Sequence, residues 1–308
     1  MSVWRSGFLS LLALLAGLAI PAFGQIVSLV GGSSDGTKAA PDFSGTWVHP
    51  YFPGVEPPAS GPGPVVNRSR RPNGTPNSGQ FVGDYTNPIL RPEAATIVKK
   101  YGEISLSGMT YPTPSNRCWP SGVPYIFFQP GVQILQQPHQ LVFLYLRDHE
   151  FRRVALNEPH SAKLTPSWYG NSVGHYEGDT LVIDTVGVRT DRPFAMVDMF
   201  GTPFSPALHI VERYRMVDSD EAQAALARNL KVNNRVPDTA SDLNYKGKRL
   251  QLVFTVEDQG VFTMPWSAVI TYEWPAMAWP EIVCPENRFE FFAGKNEAFV
   301  PTAEKPDF

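Results

Sequence analysis

The sequence predicts a mainly β protein: a long antiparallel meander closed into a barrel, with two short helices and a proline-rich arm. Three observations predict it. The chain has 30 prolines and 25 glycines in 308 residues, against a combined ~12% in ordinary globular chains, so it turns often and leaves little room for long helices. Between these breaks lie about nine or ten short β-prone runs, most of them separated by hairpin-length turns. A meander of that size closes most simply into a barrel, because closure removes the exposed edges. A hydrophobic share of 43% supplies a core and excludes a disordered chain.

The elements follow in order. Arg5 precedes an apolar run, Phe8 to Ile20, and small residues around Pro21–Gly24 suit a peptidase. Residues 1–24 therefore read as a signal peptide with a mature start at Gln25, an uncleaved anchor being the alternative. The run is short for a membrane span, and no later segment is long and apolar enough for one. The expected location is periplasmic or secreted, with no stable membrane span after cleavage. Residues 25–41 read as a flexible lead, and 42–308 as a single barrel domain. Within it, about 50–90 is an irregular Pro/Gly-rich arm lying on the surface or across an opening; Asn67-Arg-Ser and Asn73-Gly-Thr in the arm match glycosylation sequons.

A helix is expected from Pro92 to Tyr101, with Pro92 in its first turn, Lys99 and Lys100 in its last, and Gly102 stopping it. A second is expected from Ser219 to Asn229, capped by Asp218 or Ser219. Strands are expected at Thr46–His49, Tyr125–Phe128, Val132–Leu135, Gln140–Arg147, Phe151–Leu156, Trp168–Tyr176, Thr180–Val188, His209–Val217, Arg249–Val256 and Trp266–Trp274. Glu177-Gly178-Asp179 is the strongest hairpin signal. The connection Arg189–Leu208, carrying Met196, Met199 and Phe200, is long enough to act as a lid.

Phe43-Ser-Gly-Thr-Trp47 resembles the Gly-x-Trp opening strand of lipocalin-like (calycin) barrels. The run from Pro166 to Gly187, PSWYGNSVGHYEGDTLVIDTVG, resembles a signature of a large family of exported bacterial proteins. Further matching pieces are Cys118–Pro124, Asp148–Arg153, Leu208–Arg213, Pro265-Trp266 and Cys284–Asn287, so the resemblance spans most of 42–290. It implies export and a β-rich fold but no particular reaction. The chain departs from the family at Tyr176, where Trp is common, so no family role attaches to Tyr176.

Net charge is −3 with a pI near 6.1, which disfavours a nucleic-acid partner. The sequence has no P-loop, no Gly-x-Gly-x-x-Gly after a strand, no Gly-x-Ser-x-Gly elbow, no HExxH and no Cys-x-x-Cys, so no cofactor can be named and a metal stays an open question. In an exported chain Cys118 and Cys284 are expected to pair, closing a loop worth about 4 kcal/mol; two buried thiols are the alternative.

The remaining candidates come from strand parity. In His209–Val217 one face carries His209, Val211, Arg213 and Arg215, the other Ile210, Glu212, Tyr214 and Met216; parity does not choose which enters the barrel. Asp184 interrupts an apolar strand and shares a face with Val182 and Val186; Glu273 poses the same question. His149, His160, His175 and His209 lie near predicted strand ends, where a barrel mouth would gather them, and histidine suits proton transfer or metal ligation near neutral pH. The leading expectation is acid/base chemistry, of isomerase, lyase or hydratase type, on a small, largely apolar molecule (aromatic or terpenoid) inside the barrel, with assistance by a His-bound metal as a variant. His209, His175, Glu212 and Asp184 would be catalytic. Arg213, Arg153, His149, His160, Trp168, Tyr169 and Tyr214 would hold the substrate. The alternative is a non-catalytic carrier of a hydrophobic ligand.

Overall fold

The structure, a computed structural model, describes residues 40–49, 55–75, 77, 79–148, 150–191, 195–233, 246–274 and 282–284. The chain divides into two units, Met1–Lys38 and Ala39–Phe308, and every described residue lies in the second. The expected signal peptide and most of the flexible lead, along with His149, fall outside the described residues.

Among the described residues nine strands form one sheet in chain order: β1 (Gly45–Val48), β2 (Gly131–Gln137), β3 (Gln140–Tyr145), β4 (Phe151–Leu156), β5 (Asn171–Glu177), β6 (Thr180–Val186), β7 (His209–Val217), β8 (Arg249–Glu257) and β9 (Trp266–Tyr272). Val48 and Glu273 exchange two backbone hydrogen bonds, of 3.0 and 2.8 Å, bringing the first strand beside the last and nearly closing a barrel. The mainly β barrel expected from the sequence is therefore present, with one correction. Every neighbouring pair is antiparallel except β4 and β5, which run parallel through Ala155↔Val173 and Leu156↔Gly174. Parity requires this: an odd number of strands cannot close with every pair antiparallel.

The alternation of side chains sets what fills the barrel. Val132 and Ile134 on β2, Leu141, Phe143 and Tyr145 on β3, and Leu250, Leu252, Phe254 and Val256 on β8 all point in and are buried. The Gly-x-Trp strand has a local cause. Gly45 has φ +130°, and a Cβ there would lie 2.7 Å from the Trp274 ring, which packs edge-on against Trp47 at 5.5 Å. Only glycine tolerates both constraints.

Several boundaries move. Tyr125–Phe128 is a turn of 3-10 helix, not a strand. All four of its residues are buried, so it lacks the in/out alternation of a strand, and Pro124 and Pro130 bracket it. The strand expected from Trp168 begins only at Asn171, because Gly170 (φ +70°) turns the chain where a Cβ would lie 2.6 Å from the Val186 carbonyl oxygen. Helix α1 runs Pro92–Leu106, past Gly102, which is buried where Val82 of the arm packs; the missing side chain admits the arm without breaking the helix. Helix α2 runs Ser219–Asn233 and packs on β8 and β9.

The described part of the arm forms no named helix or strand, and side-chain bonds give it its order. Asn67 is fully buried and organises it: Nδ2 donates to the carbonyls of Asn77 and Gln80, and Oδ1 accepts from the amides of Ser69 and Val82. A glycan on Nδ2 is incompatible with those bonds, so the first sequon is not an acceptor in the folded protein. Asn73, in an exposed turn, is accessible. The connection after β6 is no lid in its described part: Met196, Val197 and Phe200 are core residues. Asp198, fully buried, accepts the amides of Phe200 and Thr202, and burial raises its pKa to about 6.

Candidate functional site

The expected chamber inside the barrel is filled. Phe127, Phe143, Tyr145, Tyr214 and Phe254 meet there, and parity turns Glu212 inward with them. The charge is paired. Arg152 on β4 reaches across β5 and β6 to Glu212 on β7, Nη1 to Oε2 at 2.9 Å and Nη2 to Oε1 at 2.6 Å. The intervening strands contribute hydroxyls: Ser172 accepts from Nε and Nη2 at 3.0 and 2.9 Å, and Thr185 from Nη2 at 2.7 Å. Tyr214 Oη donates to Glu212 at 3.1 Å. The guanidinium lies 5.9 Å from the rings of Phe127 and of Phe143. Burial works against the Arg152 charge, but the Glu212 carboxylate outweighs it and keeps the side chain protonated. The arrangement is a closed polar rung in an apolar core. Neither Glu212 nor Tyr214 has the room that the expected catalytic and substrate-binding roles require.

The other half of β7 faces out, and the remaining expected catalytic residues go with it. Asp184 sits on the outer face of β6 and accepts from His160 Nε2 on Oδ1 and from His209 Nε2 on Oδ2, each at 2.7 Å. His160 Nδ1 meets Asn171 Oδ1 at 2.6 Å, and His209 Nδ1 meets Glu257 Oε2 at 3.3 Å. Two of the expected histidines thus do come together, but around a carboxylate on the outside. Burial alone would lower the His209 pKa; its bonds to Asp184 and Glu257 prevail and raise it. Burial likewise would raise Asp184, and its bonds to His209 and His160 prevail and lower it. This is a charged staple across β5 to β8 that also pins the β4–β5 crossover through His160.

His175 stands exposed on β5 with Glu177 at 3.1 Å, and Arg213 Nη1 reaches the same carboxylate at 2.6 Å. Arg153 binds Gln140 Oε1 through Nε and Nη2 and lies in an open polar groove with His139, Glu158 and Asn171. Trp168 packs edge-on against Trp119 at 6.0 Å, with Arg189 5.2 Å over its ring. Tyr169 hydrogen-bonds to Glu150. None of these lines a barrel interior. Among the described residues no group of three or more His, Cys, Asp or Glu side chains is placed to hold a metal, and no helix is long and apolar enough to cross a membrane.

A further hollow, with a more apolar lining, lies beside the barrel. A pocket of about 430 Å³ opens between the arm (Phe81), the end of α1 and its exit (Met109, Tyr111), the segment around Ser115 and Asn116, Arg147 beyond β3, and Met199. A small recess toward Tyr125, Phe128 and Gln129 shares Ser115, Arg147 and Met199 with it. Its walls are tied together. Ser105 Oγ accepts from the Phe81 amide at 3.0 Å, Asn116 Nδ2 donates to the Tyr111 carbonyl at 2.8 Å, and Tyr111 Oη donates to the Met199 carbonyl. Tyr125 Oη approaches Met199 Sδ at 2.8 Å. Cys118 and Cys284 form the expected disulfide, with Cα atoms 5.4 Å apart. The bond joins the end of the Ser115–Arg117 turn to the Ile282–Cys284 segment, which pairs with Arg147.

Sequence reasoning missed Arg152, Arg147 and Glu150. Arg152 was detectable, since it shares parity with inward Val154 and Leu156. Arg147 ends an expected strand and Glu150 sits in what reads as an ordinary hairpin turn, and no local pattern announces that the Cys118 loop folds over them. Glu150 accepts from the Ser121 amide at 2.6 Å and Gln129 Nε2 at 2.7 Å, and burial raises its pKa to about 7.

Comparison with known proteins gives no relative to reason from: no protein family, no curated protein and no solved structure matches the chain.

Proposed function

We propose that this is an exported binding protein that carries a small, largely apolar molecule in the side pocket, outside the barrel. One observation carries the reading: the pocket of about 430 Å³ falls within the ~300–1,000 Å³ typical of small-molecule sites and combines an apolar wall with few polar groups. Its walls are cross-linked by hydrogen bonds and a disulfide, so the site is largely pre-formed, which reduces the ordering cost of binding. Export is supported by the apolar leader and by the Cys118–Cys284 bond, which persists in oxidising compartments.

The barrel serves as a rigid scaffold in this reading. Arg152, Glu212 and Tyr214 of its interior are bonded to one another, and the His–Asp–His staple lies on the outer face of the sheet. An acid/base enzyme of isomerase, lyase or hydratase type is the second reading. Glu150 favours it, with a pKa of about 7 and a bond to Gln129 in the wall of the recess.

Native mass spectrometry of protein gently purified from the exported fraction tests the first reading. A retained small molecule is expected in the wild type and lost in Thr110→Trp, which puts a large ring into the pocket lining. Retention in both variants would place the ligand elsewhere. Turnover of that molecule, abolished by Glu150→Gln, would favour the enzyme.

A further inference from the structure

We infer that the occupant of the side pocket is an amphipathic monoanion, a carboxylate or similar acid on an apolar body, and that Arg147 is the residue that selects it. This rests on the pocket assignment above and adds the charge and polarity of the ligand.

Arg147 is the one charged residue among the described residues lining the pocket and its recess. Its backbone is pinned from several sides. The amide donates to Gln129 Oε1 at 2.9 Å, the residue bridges to Ile282, and its carbonyl accepts from Glu150 N. Its guanidinium makes no hydrogen bond or ion pair with a described residue. The acids nearest in sequence are already engaged. Asp148 Oδ1 accepts the Cys284 amide at 2.5 Å, and both Glu150 oxygens accept from Ser121 and Gln129. Among the described residues this half-buried cation has no counter-ion, and the site gains by admitting one.

Several of the neutral polar groups of the wall are also spent. Asn116 bonds Tyr111 and Thr113, the Thr113 hydroxyl accepts the Asn116 amide, and Gln80 Oε1 accepts from Ser69 and Asn77. The ligand therefore meets one cationic fork of donors, at Arg147, beside the apolar surface of Phe81, Met109, Tyr111 and Met199. One polar end and an apolar remainder match that wall. The planar guanidinium matches a carboxylate in a two-point fork, which an ammonium group does not.

Titration calorimetry with octanoate and 1-octanol at neutral pH separates the charge from the apolar body. Wild type is expected to bind octanoate about tenfold or more tightly than octanol, the gain from one charge-assisted pair. Arg147→Gln should erase that advantage and leave octanol binding unchanged, and Arg147→Lys should keep part of it. Equal affinities in the wild type, or an advantage that survives Arg147→Gln, would overturn the inference while leaving the pocket in place. Failure of both probes to bind, or binding insensitive to Thr110→Trp, would instead overturn the pocket assignment and the inference with it.

Discussion

Replacing Glu212 by Gln tests the polar rung at the centre of the barrel. The change is nearly isosteric, so packing is preserved and the charge alone is removed. Arg152 makes five hydrogen bonds of 3.0 Å or less, two of them to Glu212. In the Glu212→Gln variant Arg152 keeps its hydroxyl partners and one amide oxygen, but the fully buried guanidinium has lost its counter-charge. Breaking a buried pair on one side costs about 3–5 kcal/mol. At roughly 2 °C per kcal/mol for a domain this large, Tm should fall by ~6–10 °C. Urea denaturation followed by tryptophan fluorescence reads the loss directly. The double variant Arg152→Met with Glu212→Leu removes both charges and should recover most of it, since a well-packed apolar replacement of a buried pair is often neutral or stabilising. A cost below about 1 kcal/mol for Glu212→Gln, or a double variant as unstable as the sum of the singles, would show that the rung is hydrated and the reasoning wrong.

Other outcomes follow from the same geometry. The raised pKa of Glu150, about 7 against an ordinary 4.5, means that its protonated form is favoured in the fold; its contribution is full below about pH 4.5 and is lost as pH rises through about 7, and Glu150→Gln should flatten denaturation midpoints across that window. The outer staple has the opposite limb at low pH: the Asp184 contribution is present above its ordinary pKa and lost as pH falls through its lowered one, while that of His209 is lost as pH rises through its raised one. Asp184→Asn should therefore cost most between those limits, and a flat difference from about pH 3 to 9 would refute the staple. Reduction of Cys118–Cys284, or Cys118→Ser with Cys284→Ser, should cost about 2–5 kcal/mol and weaken octanoate binding in calorimetry, because the bond holds the Ser115 wall against the segment that pins Arg147. Unchanged affinity after reduction would separate the disulfide from the pocket.

The fold was largely legible because its signal is local. Alternation along Leu250–Val256 and the Gly178 turn each state a strand face or a hairpin within a few residues. The 3-10 turn at Tyr125–Phe128 was not, because four consecutive apolar residues carry no period and both structures bury them. The parallel seam was hidden for another reason: the connection from Asn157 to Gly170 has no helix signature, and parallel pairing was excluded only by expectation. The site was least legible. Parity named the two alternatives on β7, but the choice between Glu212 and His209 depends on Arg152, sixty residues away in sequence and read there as part of a hairpin. The pocket draws on the arm, α1, the disulfide loop and the end of β3, which no spacing rule connects.

The odd strand count has an evolutionary corollary. The ring closes because one pair, β4 and β5, shares a direction. Deleting or adding a whole hairpin leaves that bookkeeping intact, whereas losing a single strand while keeping the β4–β5 seam would force either a second co-directional seam or an open edge at Val48 and Glu273. Relatives of this barrel should accordingly vary by twos, and any that has shed one strand should also have lost the crossover that carries His160.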